Sequence, residues 1–227
     1  MKRGRIILLN GASSSGKTSI ARELQKLLEE PYMRLGIDTV FAMIPEKCKC
    51  GDLERLKAFV WVPKHKASPE VHISVGYLGH KVMTGFHRAC VSICSAGINM
   101  IIDHVLFDPR WTEECFEMFS PFAVCFVGVW CPVDVLETRE RERGDRQIGL
   151  ARFTAAHAHT HLGQGYDLVV DTSASSPEEC AKQIIRHISA RYPSRIQGPS
   201  SLVGSTVQTH PFVRMPRLRP GMVPVWA

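Results

Sequence analysis

The stretch "LLNGASSSGKTSIARELQ", residues 8–25, decides how this chain is read. Within it, Gly11-Ala12-Ser13-Ser14-Ser15-Gly16-Lys17-Thr18 matches Gly-x-x-x-x-Gly-Lys-[Ser/Thr] without departure. Glycines in this pattern let backbone N–H groups curl around a phosphate; the lysine reaches the β and γ oxygens, and the threonine hydroxyl binds Mg²⁺. Context separates a phosphate loop from a serine-rich turn with a solvent-facing lysine. Here the apolar run Ile6 to Leu9 precedes the loop as a buried strand, and an amphipathic helix from Lys17 to Glu30 follows, stopped by Pro31. The helix N-terminus adds its positive dipole end at the phosphate. The expected ligand is a nucleoside triphosphate, ATP with Mg²⁺.

Outward from the loop, strand and helix signals alternate. Met33 to Ile37 reads as a second strand closed by Asp38, and Ala42 to Ser74, with Pro45, Pro63 and Pro69, as an irregular insertion. A long helix is expected from Gly76 to Ala96, ended by Gly97. Strands follow at Asn99 to Ile102, Ala123 to Trp130 and Tyr166 to Val170, with helices at Arg110 to Phe119, Val133 to Arg143 and Pro177 to Tyr192. Continuous apolar strands separated by helices specify an α/β fold, a parallel sheet covered by helices on both faces. Ligands sit at the carboxyl ends of such strands. Gly11 to Thr18, Asp38, Asp103 and Asp171 each come directly after a strand signal.

Charge and composition narrow the function classes. The formal charge is +6, but four arginines and no acid lie from Ser194 onward, so the rest of the chain is only mildly basic. Nothing there forms the clustered basic face of a nucleic-acid binder, and no nucleic-acid partner is expected. No stretch approaches the ~18 apolar residues that a membrane helix needs, so no membrane partner is expected. The basic start with its apolar run is too short for an export signal, and a cytoplasmic protein follows. The eight cysteines read as free thiols, because a chain with its own core does not need a disulfide framework. A zinc site from Cys48, Cys50, His65 and His72 is disfavoured, since Cys-x-Cys is tighter than structural-zinc spacing. Domain organisation is expected as one domain over residues 1–193, with a variable insertion at about 45–75 and a disordered tail over 194–227.

Phosphoryl transfer also requires an acceptor site. Asp38 can orient an acceptor hydroxyl or take its proton; capping the next helix is the alternative role. Asp103 is the expected acidic partner of the phosphate loop, binding Mg²⁺ with Thr18 or polarising the acceptor, with a helix cap again the alternative. His104, without a demonstrated partner, reads as structural. The run "ETRERERGDRQIGLAR" mixes both charge signs around a Gly-Asp break. It reads as a salt-bridged helix face or, after a phosphate loop, as an arginine-rich lid over about 139–152. Arg143 and Arg146 would then stabilise the transferring phosphoryl group, while Arg139 and Arg141 serve the helix or the nucleotide base. His157, His159 and His161 alternate, but on a helix only His157 and His161 share a face. Asp171-Thr172-Ser173 lines the adenine pocket or caps the last helix, two roles the residues alone leave open.

Taken together, "RIILLNGASSSGKTSIARELQ", "LGIDTV", "IIDHVLF", "ETRERERGDRQIG" and "YDLVVDTSASSPEECAKQI" resemble chloramphenicol phosphotransferase-like proteins, in unbroken order over residues 5–191. The resemblance implies a P-loop kinase-type fold and transfer of the γ-phosphate of ATP to a hydroxyl of a small molecule. It also implies Lys17 and Thr18 serving ATP and Mg²⁺, Asp38 as base, and Arg143 and Arg146 as lid arginines. Two departures matter. His104 stands where the antibiotic enzyme has a second aspartate, and the poorly matched residues 45–74 are where an acceptor pocket would be built. Chloramphenicol is thus one candidate acceptor. The competing functions are a nucleoside or nucleotide kinase and a nucleotide-binding regulatory module without transferase activity. A homo-oligomer is compatible with any of these.

Overall fold

The computed structural model describes residues 3–48, 58–63, 71–144, 148–158 and 165–191. Five parallel strands form the central sheet: β1 (Arg5–Gly11), β2 (Tyr32–Gly36), β5 (Asn99–His104), β6 (Ala123–Trp130) and β7 (Leu168–Asp171), in the order β2-β5-β1-β6-β7. The helices are α1 (Lys17–Leu27), α2 (Ile37–Met43), α3 (Tyr77–Ser95), α4 (Pro109–Phe119), α5 (Val133–Arg143), α6 (Leu150–Ala158) and α7 (Pro177–Arg191).

Strand β1 shows why these strands carry unbroken apolar runs. Ile6 and Leu8 face one side and pack with Met83, Phe86 and Cys90 of α3 and Trp111, Cys115 and Phe119 of α4. Ile7 and Leu9 face the other and pack with Ile20 and Leu24 of α1 and Ile184 and Ile188 of α7. All four are essentially inaccessible to solvent. Each buried aliphatic side chain contributes roughly 1.5–3 kcal/mol of transfer free energy, so a polar substitution on either face of β1 is costly.

Local chemistry sets several boundaries. Asp108 caps α4 by accepting the Arg110 N–H at 3.0 Å, with Pro109 opening the helix. Ser176 and Glu179 close a capping box at the start of α7: the Ser176 N–H donates to Glu179 Oε2 at 2.7 Å, and Pro177 follows.

Two expectations need correction. The insertion between Ala42 and Ser74 is not wholly irregular, because β3 (Phe59–Pro63) and β4 (Val71–Val75) pair as an antiparallel hairpin, followed by α3. Phe59, fully buried, anchors it against Phe41 and Trp111. Prolines masked this period-two signal in the sequence; Pro63 ends β3, where a missing N–H is tolerated. The second strand also ends one residue early, at Gly36, and α2 starts at once, so Asp38 lies in the first turn of α2 rather than directly after a strand. The tail, Arg146, His159, His161, Cys50 and His65 lie outside the described residues. Among the described residues seven cysteines are free and buried, and no helix is long and apolar enough to cross a membrane.

Candidate active site

The register aligns the chemistry at the carboxyl edge of the sheet. Leu9 of β1 pairs with Asp103 of β5, and Asp103 pairs on its other side with Gly36 of β2. The loop 11–18 therefore leaves β1 beside Asp103, and α2, carrying Asp38, leaves β2 beside the same residue. The strand order reverses about β1, where open α/β sheets place their ligands.

Two glycines make the loop's path feasible. A Cβ on Gly11 would lie 2.4 Å from the Val129 carbonyl oxygen of β6. Gly16 has φ +89°, in the left-handed region, and directly precedes α1. Ser14 also adopts positive φ, 63°, and its buried hydroxyl lacks a hydrogen-bond partner among the described residues. A polar group left unpaired in a concave loop fits a phosphate oxygen. Ala12 and Ser15 are buried, while Ser13 donates its N–H to Thr154 Oγ1 of α6 at 2.9 Å.

The lysine and the hydroxyl–carboxylate pair lie just beyond. Lys17 is buried and donates to the Ala12 carbonyl at 2.6 Å and more weakly to Ser15 Oγ at 3.4 Å. Thr18 Oγ1 donates to Asp103 Oδ2 at 2.6 Å. Two hard oxygen donors on adjoining elements, one of them a carboxylate, suit Mg²⁺, which typically takes one or two carboxylates and fills the rest of its octahedron with water and substrate phosphates.

Lys17, Thr18, Asp38, Asp103 and Arg143 all line one cleft of about 400 Å³. Asp38 is exposed to it from the first turn of α2, in the role of neither a strand terminus nor a side-chain cap. The apolar part of the lining includes Phe41, Ile73, Val105, Phe107 and Leu150. Ile73 belongs to the hairpin, so the poorly matched insertion does contribute to the cleft.

Several supporting roles escaped the sequence reading, including those of Thr172 and Arg139, which it names for other tasks. Thr172, after β7, donates its hydroxyl to the Ser15 carbonyl at 2.9 Å, so it braces the loop rather than capping α7. Arg139 grips Thr172 through two N–H groups, at 3.1 Å to Oγ1 and 2.7 Å to the carbonyl. Glu140, only 1% exposed, accepts the N–H groups of Gly149 at 2.8 Å and Ala151 at 2.7 Å, thereby capping α6 from α5. Of the segment 139–152 read as a lid, 139–143 thus complete α5 and 150–152 open α6. Asn10 accepts the Leu106 N–H at 2.7 Å and donates to Tyr166 Oη, pinning the 105–107 wall to β1. Burial in this apolar site pushes the Tyr166 hydroxyl up to about 12, against the opposing effect of the Asn10 hydrogen bond. Asn10 left its own hint, a polar residue ending an apolar strand.

The family model of chloramphenicol phosphotransferase-like proteins matches residues 4–189. The chain belongs to this family. A Mycobacterium tuberculosis relative, provisionally named an O-phosphotransferase, is 34% identical over 189 residues, covering 81% of this chain and 82% of the relative. Among solved structures, Acinetobacter baumannii shikimate kinase in complex with shikimate superposes with a TM-score of 0.57 at 14% identity, over 85% of this chain and 97% of that one. Mycobacterium tuberculosis adenylylsulfate (APS) kinase, in complex with AMPPNP and APS, gives 0.55 at 14% identity, over 83% and 99%. These two likenesses establish the P-loop kinase fold. Family membership makes this chloramphenicol phosphotransferase-like chain a phosphotransferase of the kinase type.

Proposed function

We propose that this phosphotransferase moves the γ-phosphate of ATP to a hydroxyl of a small molecule with a substantial apolar body. The observation that carries the reading is a single cleft lined by Asp38 together with Lys17, Thr18 and Asp103. A protein that only binds nucleotide needs no carboxylate on the acceptor side.

In this reading the loop N–H groups, Lys17 and the start of α1 hold the β- and γ-phosphates. Thr18 and Asp103 would hold Mg²⁺, directly or through water; when bound, the ion neutralises charge on the phosphate oxygens. Asp38 orients the acceptor hydroxyl and takes its proton as the acceptor oxygen bonds to the γ-phosphorus and the β–γ bridging bond breaks, releasing ADP. The proton then passes from Asp38 to solvent. Arg143, which lines the cleft at the end of α5, stabilises the charge that develops on the transferring group, the role the sequence also assigns to Arg146. The apolar wall of Phe41, Ile73, Val105, Phe107 and Leu150 supports an acceptor carrying an aromatic or aliphatic body beside its alcohol, a description that includes chloramphenicol.

The test is ADP release with Mg-ATP in the presence of chloramphenicol, other apolar alcohols, nucleosides and polar metabolites, with mass spectrometry of products. An acceptor product heavier by one phosphate, formed by wild type and absent with Asp38→Asn, is the expected result. Phosphorylation of nucleosides alone would assign the chain to the competing kinase class. ATP binding without any phosphorylated product would sink the transferase reading.

A further inference from the structure

On the α3/α4 side of the sheet, three elements bring histidine and cysteine donors to one point. His87 comes from α3, His104 from the last position of β5, and Cys115 from α4. His87 Nε2 lies 3.0 Å from His104 Nε2 and 3.5 Å from Cys115 Sγ, and the three donor atoms all fall within 4.8 Å of one another. Tetrahedral zinc, with nitrogen at about 2.0–2.1 Å and sulfur at about 2.3 Å, sets ligand-to-ligand edges of about 3.3 Å for N···N and about 3.6 Å for N···S. The two edges that meet at His87 Nε2, 3.0 and 3.5 Å, are within a few tenths of an ångström of those values.

The surroundings are those of a metal site. All three residues are fully buried. Glu114 Oε2 lies 2.6 Å from His87 Nδ1, the carboxylate–histidine arrangement that fixes the tautomer and leaves the Nε2 lone pair pointing inward. Phe86, Trp111 and Phe119 pack their rings against the two imidazoles.

Hydrogen-bond accounting provides an independent argument. With the His87 Nδ1–H donated to Glu114, the Nε2···Nε2 contact requires His104 to donate from Nε2 in a metal-free cluster. His104 Nδ1 then keeps a bare lone pair, and that buried atom has no hydrogen-bond partner among the described residues. An ion between the two Nε2 atoms reverses this: both lone pairs bind metal, and the His104 proton resides on Nδ1. Charge also closes. Cys115 releases its thiol proton to solvent, and its thiolate together with the Glu114 carboxylate balances a divalent ion.

We propose that His87, His104 and Cys115 bind one thiophilic transition-metal ion, with zinc the expected occupant. The ion fastens α3 and α4 to the strand end that carries Asp103, giving it a structural role behind the transfer site. This site is separate from Thr18 and Asp103, whose oxygen donors suit a hard cation instead.

The test uses the full chain produced in zinc-supplemented medium, and the same chain refolded with Co²⁺ as a spectroscopic probe. About one equivalent of zinc per chain after gel filtration is expected, falling at least tenfold in Cys115→Ser while Cys94→Ser retains it. Copper in place of zinc at the same stoichiometry, lost in the same variant, supports the site with a monovalent occupant. The cobalt form of the unmodified chain should show a sulfur-to-cobalt charge-transfer band with tetrahedral d–d bands, a readout independent of whether Cys115→Ser folds. Metal below about a tenth of an equivalent by both routes, with no charge-transfer band, overturns the proposal.

Discussion

Thr18 and Asp103, eighty-five residues apart in sequence, are joined by a 2.6 Å hydrogen bond that ties the end of the phosphate loop to the end of β5. In the proposed function the pair supplies two oxygen donors for a nucleotide-bound Mg²⁺. Asp103→Asn keeps the hydrogen bond's shape but removes the charge. It is expected to lower kcat by about a hundredfold or more and to raise the Mg²⁺ concentration needed for half-maximal rate, measured by titrating Mg²⁺ at saturating ATP. An unchanged Mg²⁺ dependence would remove Asp103 from the metal site.

The proposed role of Asp38 separates binding from transfer. If its carboxylate, which lines the cleft, serves the acceptor as proposed, Asp38→Asn is expected to cost about 10²–10⁴-fold in kcat while ATP affinity by calorimetry stays within about twofold of wild type. Lys17→Ala should impair both quantities. Equal loss of ATP affinity in Asp38→Asn would contradict its role as base.

Arg139 acts on the loop at second hand, by gripping Thr172, which in turn holds the Ser15 carbonyl. Lysine cannot reproduce a two-pronged grip. Arg139→Lys is therefore expected to weaken ATP binding by about tenfold, and Thr172→Val should do the same without further loss in the double variant. Isothermal titration of the three variants tests this, with additive losses counting against a shared brace.

Glu140 accepts two backbone N–H groups while almost wholly buried. In Glu140→Ala both donors lose a charged partner, for a destabilisation of about 3 kcal/mol. In a chain of this size that corresponds to a melting temperature lower by about 6–12 °C in differential scanning calorimetry. Glu140→Gln, which satisfies one donor, should fall between the two.

Burial also predicts thiol chemistry. Desolvation pushes Cys90 and Cys125 up to about 12. At pH 8 only ~1 in 10⁴ of either thiol is ionised, so iodoacetamide should leave both unmodified in the native protein and label them after denaturation. Peptide mapping by mass spectrometry reads this directly, and rapid native labelling of either would contradict their burial.

The sequence by itself determined the phosphate loop, the alternation of apolar strands with amphipathic helices, and the parallel sheet covered on both faces. These properties are local: a glycine pattern, a helical period, a continuous apolar run such as Ile6 to Leu9 buried on both sides. The family followed from the order of those local motifs. Prolines concealed the β3–β4 hairpin, and the start of α2 at Ile37 moved Asp38 from a strand end to a helix turn, because element boundaries depend on what each residue packs against. Only the tertiary structure decided which distant residues meet. Strand order and register set Asp103 between Gly36 and Leu9, Arg139 against Thr172, and His87 against His104 and Cys115. No periodicity along the chain encodes such meetings, since they depend on which strands become neighbours and on how the helices cross them.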